Sequence, residues 1–325
     1  MCPLQRDLKF WSVNFCVHNG ILVLDKIYGA PSRGCVTSVS RALGGKRQKV
    51  GHAGTLDTTA SGTLVLMLGN ATRLCEQVMN LPKTYLAEVE FGWETTTDDA
   101  TGEPISEPIR TDYDEKALKT VLPRFLGVRM QVPPRVSAVR VAGVRAHKIA
   151  RSGREPNITP RPISITSIRY LGVSENRCAR LLVSCHRGTY IRSLARDIGR
   201  ELGLKAHLSS LRRINIGNYN AKEGLSFNPQ KPPSPDEIAA NIQPIETLAR
   251  QYYCYKANPF CEKRLTNGLC VYASYLTAVS GGIVPASLGV MVVGESHICL
   301  GKLQCENGRA VISPQSNFPK EVQTA

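Results

Sequence analysis

Val50-Gly51-His52-Ala53-Gly54-Thr55-Leu56-Asp57-Thr58-Thr59-Ala60-Ser61-Gly62 runs directly into the continuous apolar segment 64–68. Three glycines surround one carboxylate, so a backbone bent at glycine can present Asp57 beside a short buried strand. An aspartate in a Gly-rich loop also suits an Asx turn, and the stretch alone does not choose between the two. Upstream, the apolar run 21–24 reads as a first strand, and residues 36–43 as a short helix ended by Gly44-Gly45. Downstream, Asn70 is placed to cap a helix carrying Leu74, Val78 and Leu81. Tyr85, Ala87, Val89 and Phe91 then alternate with Leu86, Glu88 and Glu90, a strand period that puts Tyr85 on the apolar face.

Residues 131–154 break this regularity: Arg135, Arg140, Arg145, Lys148, Arg151 and Arg154 occur there with no Asp or Glu, as in a basic, partly loop-like arm. A strand over 180–185 leads through His186-Arg187-Gly188 into an amphipathic helix. Ile191, Leu194, Ile198 and Leu202 lie on one side of it, and Arg192, Arg196 and Arg200 on another. Strands and helices mix without regular βαβ repetition, which is the α+β class. The segment 228–236, with four prolines, reads as a connection. Beyond it an apolar run over 288–293, a strand over 298–303 and the hairpin signal Asn307-Gly308 predict a small β-rich C-terminal domain from about Gln251. The expected organisation is an N-terminal extension over 1–18, a main domain over 19–250 with its basic arm at about 131–158, and a β-rich domain over 251–325.

The chain of 325 residues carries 41 Lys and Arg against 26 Asp and Glu, a net charge of +15, so a polyanion is the first partner to consider. No apolar run reaches the roughly 20 residues that span a bilayer, and no small-residue cleavage site follows the broken apolar stretch Phe10, Trp11, Val13, Phe15, Val17. Membrane insertion and secretion are not expected. The eleven cysteines are scattered, none in CxxC, and the six histidines do not cluster with them. Neither a zinc site nor a disulfide framework is predicted, and the thiols read as small buried hydrophobes in a reducing cytoplasm.

GHAGTLD at 51–57 followed by ASG at 60–62 resembles the GHTGTLDPxASG motif of the TruB family of pseudouridine synthases. Gly20-Ile21-Leu22-Val23-Leu24-Asp25-Lys26 resembles that family's opening GxLxxDKPxG strand, and Lys83-Thr84-Tyr85 its KxY segment. Thr97-Asp98-Asp99-Ala100-Thr101-Gly102 is similar to its TxDxxG turn, Val132-Pro133-Pro134 through Ser137-Ala138 to its PPxxSA arm, and Gly188-Thr189-Tyr190-Ile191-Arg192 to its GTYIR. The matches follow the family order. Departures are Ile27 after Lys26, Thr58 after Asp57, Thr95-Thr96-Thr97 for TDT, and Val136 and His147 in the arm. They bear on substrate fit and RNA recognition.

The resemblance implies a pseudouridine synthase fold with a mixed, mainly antiparallel central sheet. It also implies a cytoplasmic, monomeric enzyme that turns uridine 55 of the tRNA T-arm into pseudouridine after flipping it out. No cofactor and no metal are implied. Asp57 would be the nucleophile, attacking the sugar C1′, and Arg192 its ion-pair partner. Tyr85 would stack on the extracted base and help remove the C5 proton, or be an ordinary core tyrosine. Tyr190 would line the same pocket or hydrogen-bond the backbone, and Asp99 would line it or build a turn. Lys26 would contact the active-site loop or be exposed, and His52 would help extract the base or be structural. Arg140, Arg145 and Lys148, with Arg41, Lys46, Arg47, Lys49 and Arg212-Arg213, would engage phosphates. Leu300-Gly301, Asn307-Gly308 and Ser313-Pro314 resemble a degenerate PUA domain.

Three other readings compete. The same chemistry could serve another RNA, as in the guide-dependent dyskerin branch, whose basic tails are missing here. A nucleobase deaminase needs HxE with PCxxC, and both are absent. A noncatalytic RNA-binding protein would not require Asp57, Tyr85 and Arg192 together.

Overall fold

The computed structural model describes residues 17–105 and 107–320. The extension expected over 1–18 therefore lies outside the described residues up to position 16. A large mixed sheet of eleven strands carries the main part of the chain. Its central order is Leu225–Phe227, Gly20–Lys26, Ala60–Leu68, Ala206–Ile216, Lys83–Phe91, Ala179–Cys185, Arg161–Val173 and Gly127–Gln131. Gly20–Lys26 with Leu225–Phe227 and Ala60–Leu68 with Ala206–Ile216 are parallel pairs; the other pairings are antiparallel. The class is α+β, and the sheet is mixed and mainly antiparallel.

The continuous apolar run 64–68 is explained by its central position. Leu64, Leu66 and Leu68 join a core with Leu22, Leu24, Cys35 and Val39 under the helix Ser32–Ala42. Val65 and Met67 face the opposite way, into a second core with Ile21 and Val23. With both faces covered, alternation disappears and every residue of the run is apolar. Tyr85, Ala87, Val89 and Phe91 do alternate, packing against Ile191, Leu194 and Ile198 of the helix Ile191–Glu201. That packing fixes the helix, and with it Arg192, over the sheet.

Three local readings need correction. Asn70 caps no helix: a 3-10 turn Gly69–Leu74 precedes the helix Cys75–Asn80, whose start has no side-chain cap. The Asn19 side chain accepts the Asn70 N–H and occupies that place. The proline-rich segment is not mere connection, because Ser234 and Glu237 form a reciprocal capping box that starts the helix Pro235–Ala240. The first helix begins at Ser32, four positions before the expected 36.

From Tyr253 onward the strands belong to a separate six-stranded sheet. Its hairpin turns at Asn307 and Gly308, both at positive φ, 51° and 74°, as the Asn-Gly signal requires. Tyr252, Met291, Leu300 and Phe318 pack in the same core as Val65 and Met67, so the two sheets share one apolar interior. Among the described residues no helix is long and apolar enough to cross a membrane.

Glu262 ties the hairpin at Gly294 to the helix Pro259–Thr266. Its carboxylate accepts the backbone N–H groups of Glu295, Ser296 and His297 at 2.7, 2.9 and 2.8 Å, and the Ser296 hydroxyl at 2.7 Å. Burial alone would raise its pKa, but these donors bring it from 4.5 down to about 2. A depressed folded-state pKa gives stability that is complete above the unfolded value and is lost as pH falls through about 2. Glu262→Gln is expected to cost about 2–3 kcal/mol at pH 7, the gap narrowing by about 1 kcal/mol at pH 4. Urea titrations of both proteins at the two pH values check this.

Candidate active site

Asp57 lies in the loop between the strands Val50–His52 and Ala60–Leu68. The start of the strand that follows the loop can lie this close to Ala206–Ile216 only because residue 62 is glycine: a Cβ there, at φ +104°, would stand 2.1 Å from the Arg213 carbonyl oxygen. Arg192 enters from the second position of the arginine helix, with its Nε 3.0 Å from Asp57 Oδ2. The same guanidinium donates to the Thr97 and Val136 carbonyls at 3.0 and 3.1 Å, and Asp99 Oδ2 lies 3.7 Å away. Fixed on two carbonyls, a planar guanidinium has one remaining edge to offer, and it offers it to Asp57. Arg192 is 7% exposed and Asp57 42%, so the carboxylate is held from behind and open in front.

The turn 95–102 supplies the opposite wall. Asp99 builds the turn and also faces Arg192. Its Oδ1 accepts the Thr97 hydroxyl at 2.7 Å and the Thr101 N–H and hydroxyl at 3.0 and 2.5 Å, while Oδ2 faces Arg192. A narrow cleft of about 20 Å³ beside Asp57 is lined by Asp99, Thr101, Arg192, Leu208, Ser210 and Tyr28. That is room for about one water molecule, so a nucleoside needs the walls to move.

Lys26 is fully buried, not exposed. Its ammonium donates to the Ile27, Ala30 and Ala60 carbonyls at 3.1, 2.8 and 2.5 Å, bracing the strand that follows Asp57. Burial lowers its pKa to about 8, leaving it mostly charged at pH 7. Tyr85 is buried on its strand, and burial pushes its hydroxyl upward against the pull of the neighbouring Arg213 guanidinium. Tyr190 is the residue before the arginine helix, its backbone held at both N–H and carbonyl by the Gln131 side chain. Burial raises its hydroxyl as well, with Arg192 opposing and Asp57 adding to the rise. His52 is half-buried, and burial followed by the Arg213 charge keeps it below its ordinary value. Its Nδ1 has no hydrogen-bond partner among the described residues. None of these four lines the cleft.

Arg213 contradicts its expected role as a phosphate contact. It is 2% exposed and donates to the Thr63, Thr55 and Gly54 carbonyls at 2.8, 3.3 and 3.1 Å. It holds the loop that carries Asp57. Arg212, on the opposite face of the strand, pairs with Asp25 at 2.8 Å. Arg196 was also missed: it is buried, pairs with Asp98 at 2.6 Å and donates to the Val132 carbonyl at 3.0 Å. Its spacing of four from Arg192 was the available signal. Arg140, Arg145 and Lys148 lie apart from this cluster and are exposed on a small hairpin, Arg140–Val141 with Val144–Arg145, and the helix Ala146–Arg151.

Residues 41–191 match the TruB family pseudouridylate synthase N-terminal domain, and residues 192–250 the tRNA pseudouridylate synthase B C-terminal domain. The chain is similar to tRNA pseudouridine synthase B of Paracoccus denitrificans, 39% identical over 77% of this chain and 83% of that one. It is also similar to the Shouchella clausii protein of the same name, 35% identical over 92% and 98%. Among solved structures, an H/ACA RNP bound to a substrate RNA containing 2′-deoxyuridine matches with a TM-score of 0.66 at 20% identity, over 92% of this chain and 84% of that one. That likeness is one of fold, and it extends through the small C-terminal β domain, which is PUA-like. The GHAGTLD loop, the arginine that grips its aspartate and these matches lead to one conclusion: the chain belongs to the TruB family of pseudouridylate synthases.

Proposed function

We propose that this protein isomerises uridine 55 in the T-loop of tRNA to pseudouridine, with Asp57 as nucleophile. The observation that carries the reading is the 3.0 Å contact between Arg192 Nε and Asp57 Oδ2, at a carboxylate open to an approaching ligand. Arg192 holds Asp57 aimed at the approaching nucleotide. The carboxylate attacks C1′ of the flipped nucleotide and the C1′–N1 bond breaks. The base turns over, C5 joins C1′ as the ester to Asp57 breaks, the C5 proton leaves and N1 gains one. Atoms balance without any oxidant or energy source.

The other residues serve this step. Tyr85 offers a ring platform for the base, and burial, by making its hydroxyl harder to ionise, makes it a poorer base for the C5 proton. Asp99 borders the reacting nucleotide, Tyr190 joins it once the walls of the cleft move apart, Lys26 braces the loop, and neutral His52 takes part in extracting the base. Flipping costs a few kcal/mol, offset by phosphate contacts from Arg140, Arg145 and Lys148 on the arm. Its work on tRNA puts the enzyme in the cytoplasm, and the main domain is taken as 19–250 with a C-terminal domain over 251–325.

The test is to incubate an unmodified tRNA transcript with the protein and map pseudouridine by carbodiimide adduct and primer extension. One stop at T-loop position 55 is expected. Modification only elsewhere removes the proposed specificity, and none at all removes the activity.

A further inference from the structure

A second, larger groove opens beside the Asp57 cleft. It has a volume of about 470 Å³ and runs between the turn at Ile27–Pro31, the first helix and the 228–230 turn, and Tyr28 lines both it and the cleft. Such a volume accommodates a nucleotide-sized ligand. No Asp or Glu borders the groove, while Arg33 and Arg41 do. Both are exposed, and among the described residues neither guanidinium has a carboxylate or hydrogen-bond partner. Arg192, Arg196 and Arg212, by contrast, are all paired.

Tyr28 is 66% exposed, an unusual place for a ring unless something covers it. Its turn is tied to the catalytic loop, since the Gly29 N–H donates to the Thr58 carbonyl at 2.8 Å, one residue after Asp57. Ile27 holds the same turn to the strand Leu225–Phe227 through its N–H and the Phe227 carbonyl at 3.4 Å, a bond that the proline usual there could not donate. A ring face beside unpaired cations in an open groove is how proteins hold single-stranded nucleic acid.

Resting on the proposed RNA activity, we infer that this groove is a subsite for the RNA strand next to the reacting uridine, with a flanking base stacked on Tyr28 and its phosphates on Arg33 and Arg41. Charge complementarity selects this occupant over a second copy of a chain that is itself strongly basic. The subsite would hold the flanking strand on the same turn that positions the Asp57 loop.

The test measures binding of the unmodified tRNA transcript by the full chain carrying Asp57→Asn, so that no turnover intervenes, with the wild type assayed for pseudouridine on the same transcript. Tyr28→Ala is expected to raise Kd roughly 5- to 30-fold, and Tyr28→Phe, which keeps the ring, to restore it within about twofold. Arg33→Ala with Arg41→Ala is expected to reduce the slope of log K against log salt by about 1.5. Unchanged Kd and slope, with the wild type still forming pseudouridine, overturn the subsite and leave the activity standing. Lost binding in these variants, with no pseudouridine from the wild type, keeps the subsite and removes the activity. A Tyr28→Phe protein as weak as Tyr28→Ala overturns stacking. Concentration-dependent self-association abolished by the arginine substitutions, with RNA affinity unchanged, makes a second copy the occupant and overturns the proposal.

Discussion

Asp57→Asn is expected to lower pseudouridine formation by ~10⁴-fold or more under single-turnover conditions. Asparagine has the same shape, and its carbonyl oxygen can still accept from Arg192. It is neutral, however, and an amide oxygen is a poor nucleophile toward C1′. The position is 42% exposed, so the exchange leaves little buried polarity unsatisfied and the fold should be unaffected. RNA affinity should stay within about threefold, because the proposed phosphate contacts and stacking lie elsewhere. A rate within about tenfold of wild type would mean that another group forms the bond to the sugar.

Arg213→Met should damage stability and activity together. The guanidinium holds three carbonyls, two of them in the Gly54-Thr55 segment just before Asp57. Methionine fills much of the volume and donates nothing, leaving the three carbonyls to find other partners. Loss of such a buried charged donor costs about 3–5 kcal/mol, a fall in Tm of roughly 5–10 °C for a protein of this size. The rate should drop by about 100-fold or more even in the fraction that folds, since the Asp57 loop loses its support. An unchanged Tm with a normal rate would show that the loop is held by something else.

How much of this could be read beforehand depends on how far each signal travels along the chain. The strands announce themselves locally: alternation at Tyr85 to Phe91, the buried run at 64–68 and the Asn307-Gly308 turn need only neighbours. Asp57 and Arg192 were named through the resemblance of whole motifs, since neither carries a local mark of function. Arg196 and Arg213 escaped because a helix arginine or a strand arginine looks solvated until its covering is known. Asp98 lies 98 residues from Arg196, and Gly54 lies 159 residues from Arg213. Ser234 was different: the S-P-D-E capping box was present at 234–237, but the surrounding prolines masked it. The change of composition near 251 tracks the change of sheet. It gave no hint that Tyr252, Met291 and Phe318 share a core with Val65 and Met67.

Tritium release from tRNA transcript labelled at uridine C5 tests the role of Asp57 most directly, with wild type and Asp57→Asn compared at stoichiometric enzyme. The wild type should discharge one label per transcript into water and the variant should stay at background. Release by the variant at the wild-type rate would contradict the account.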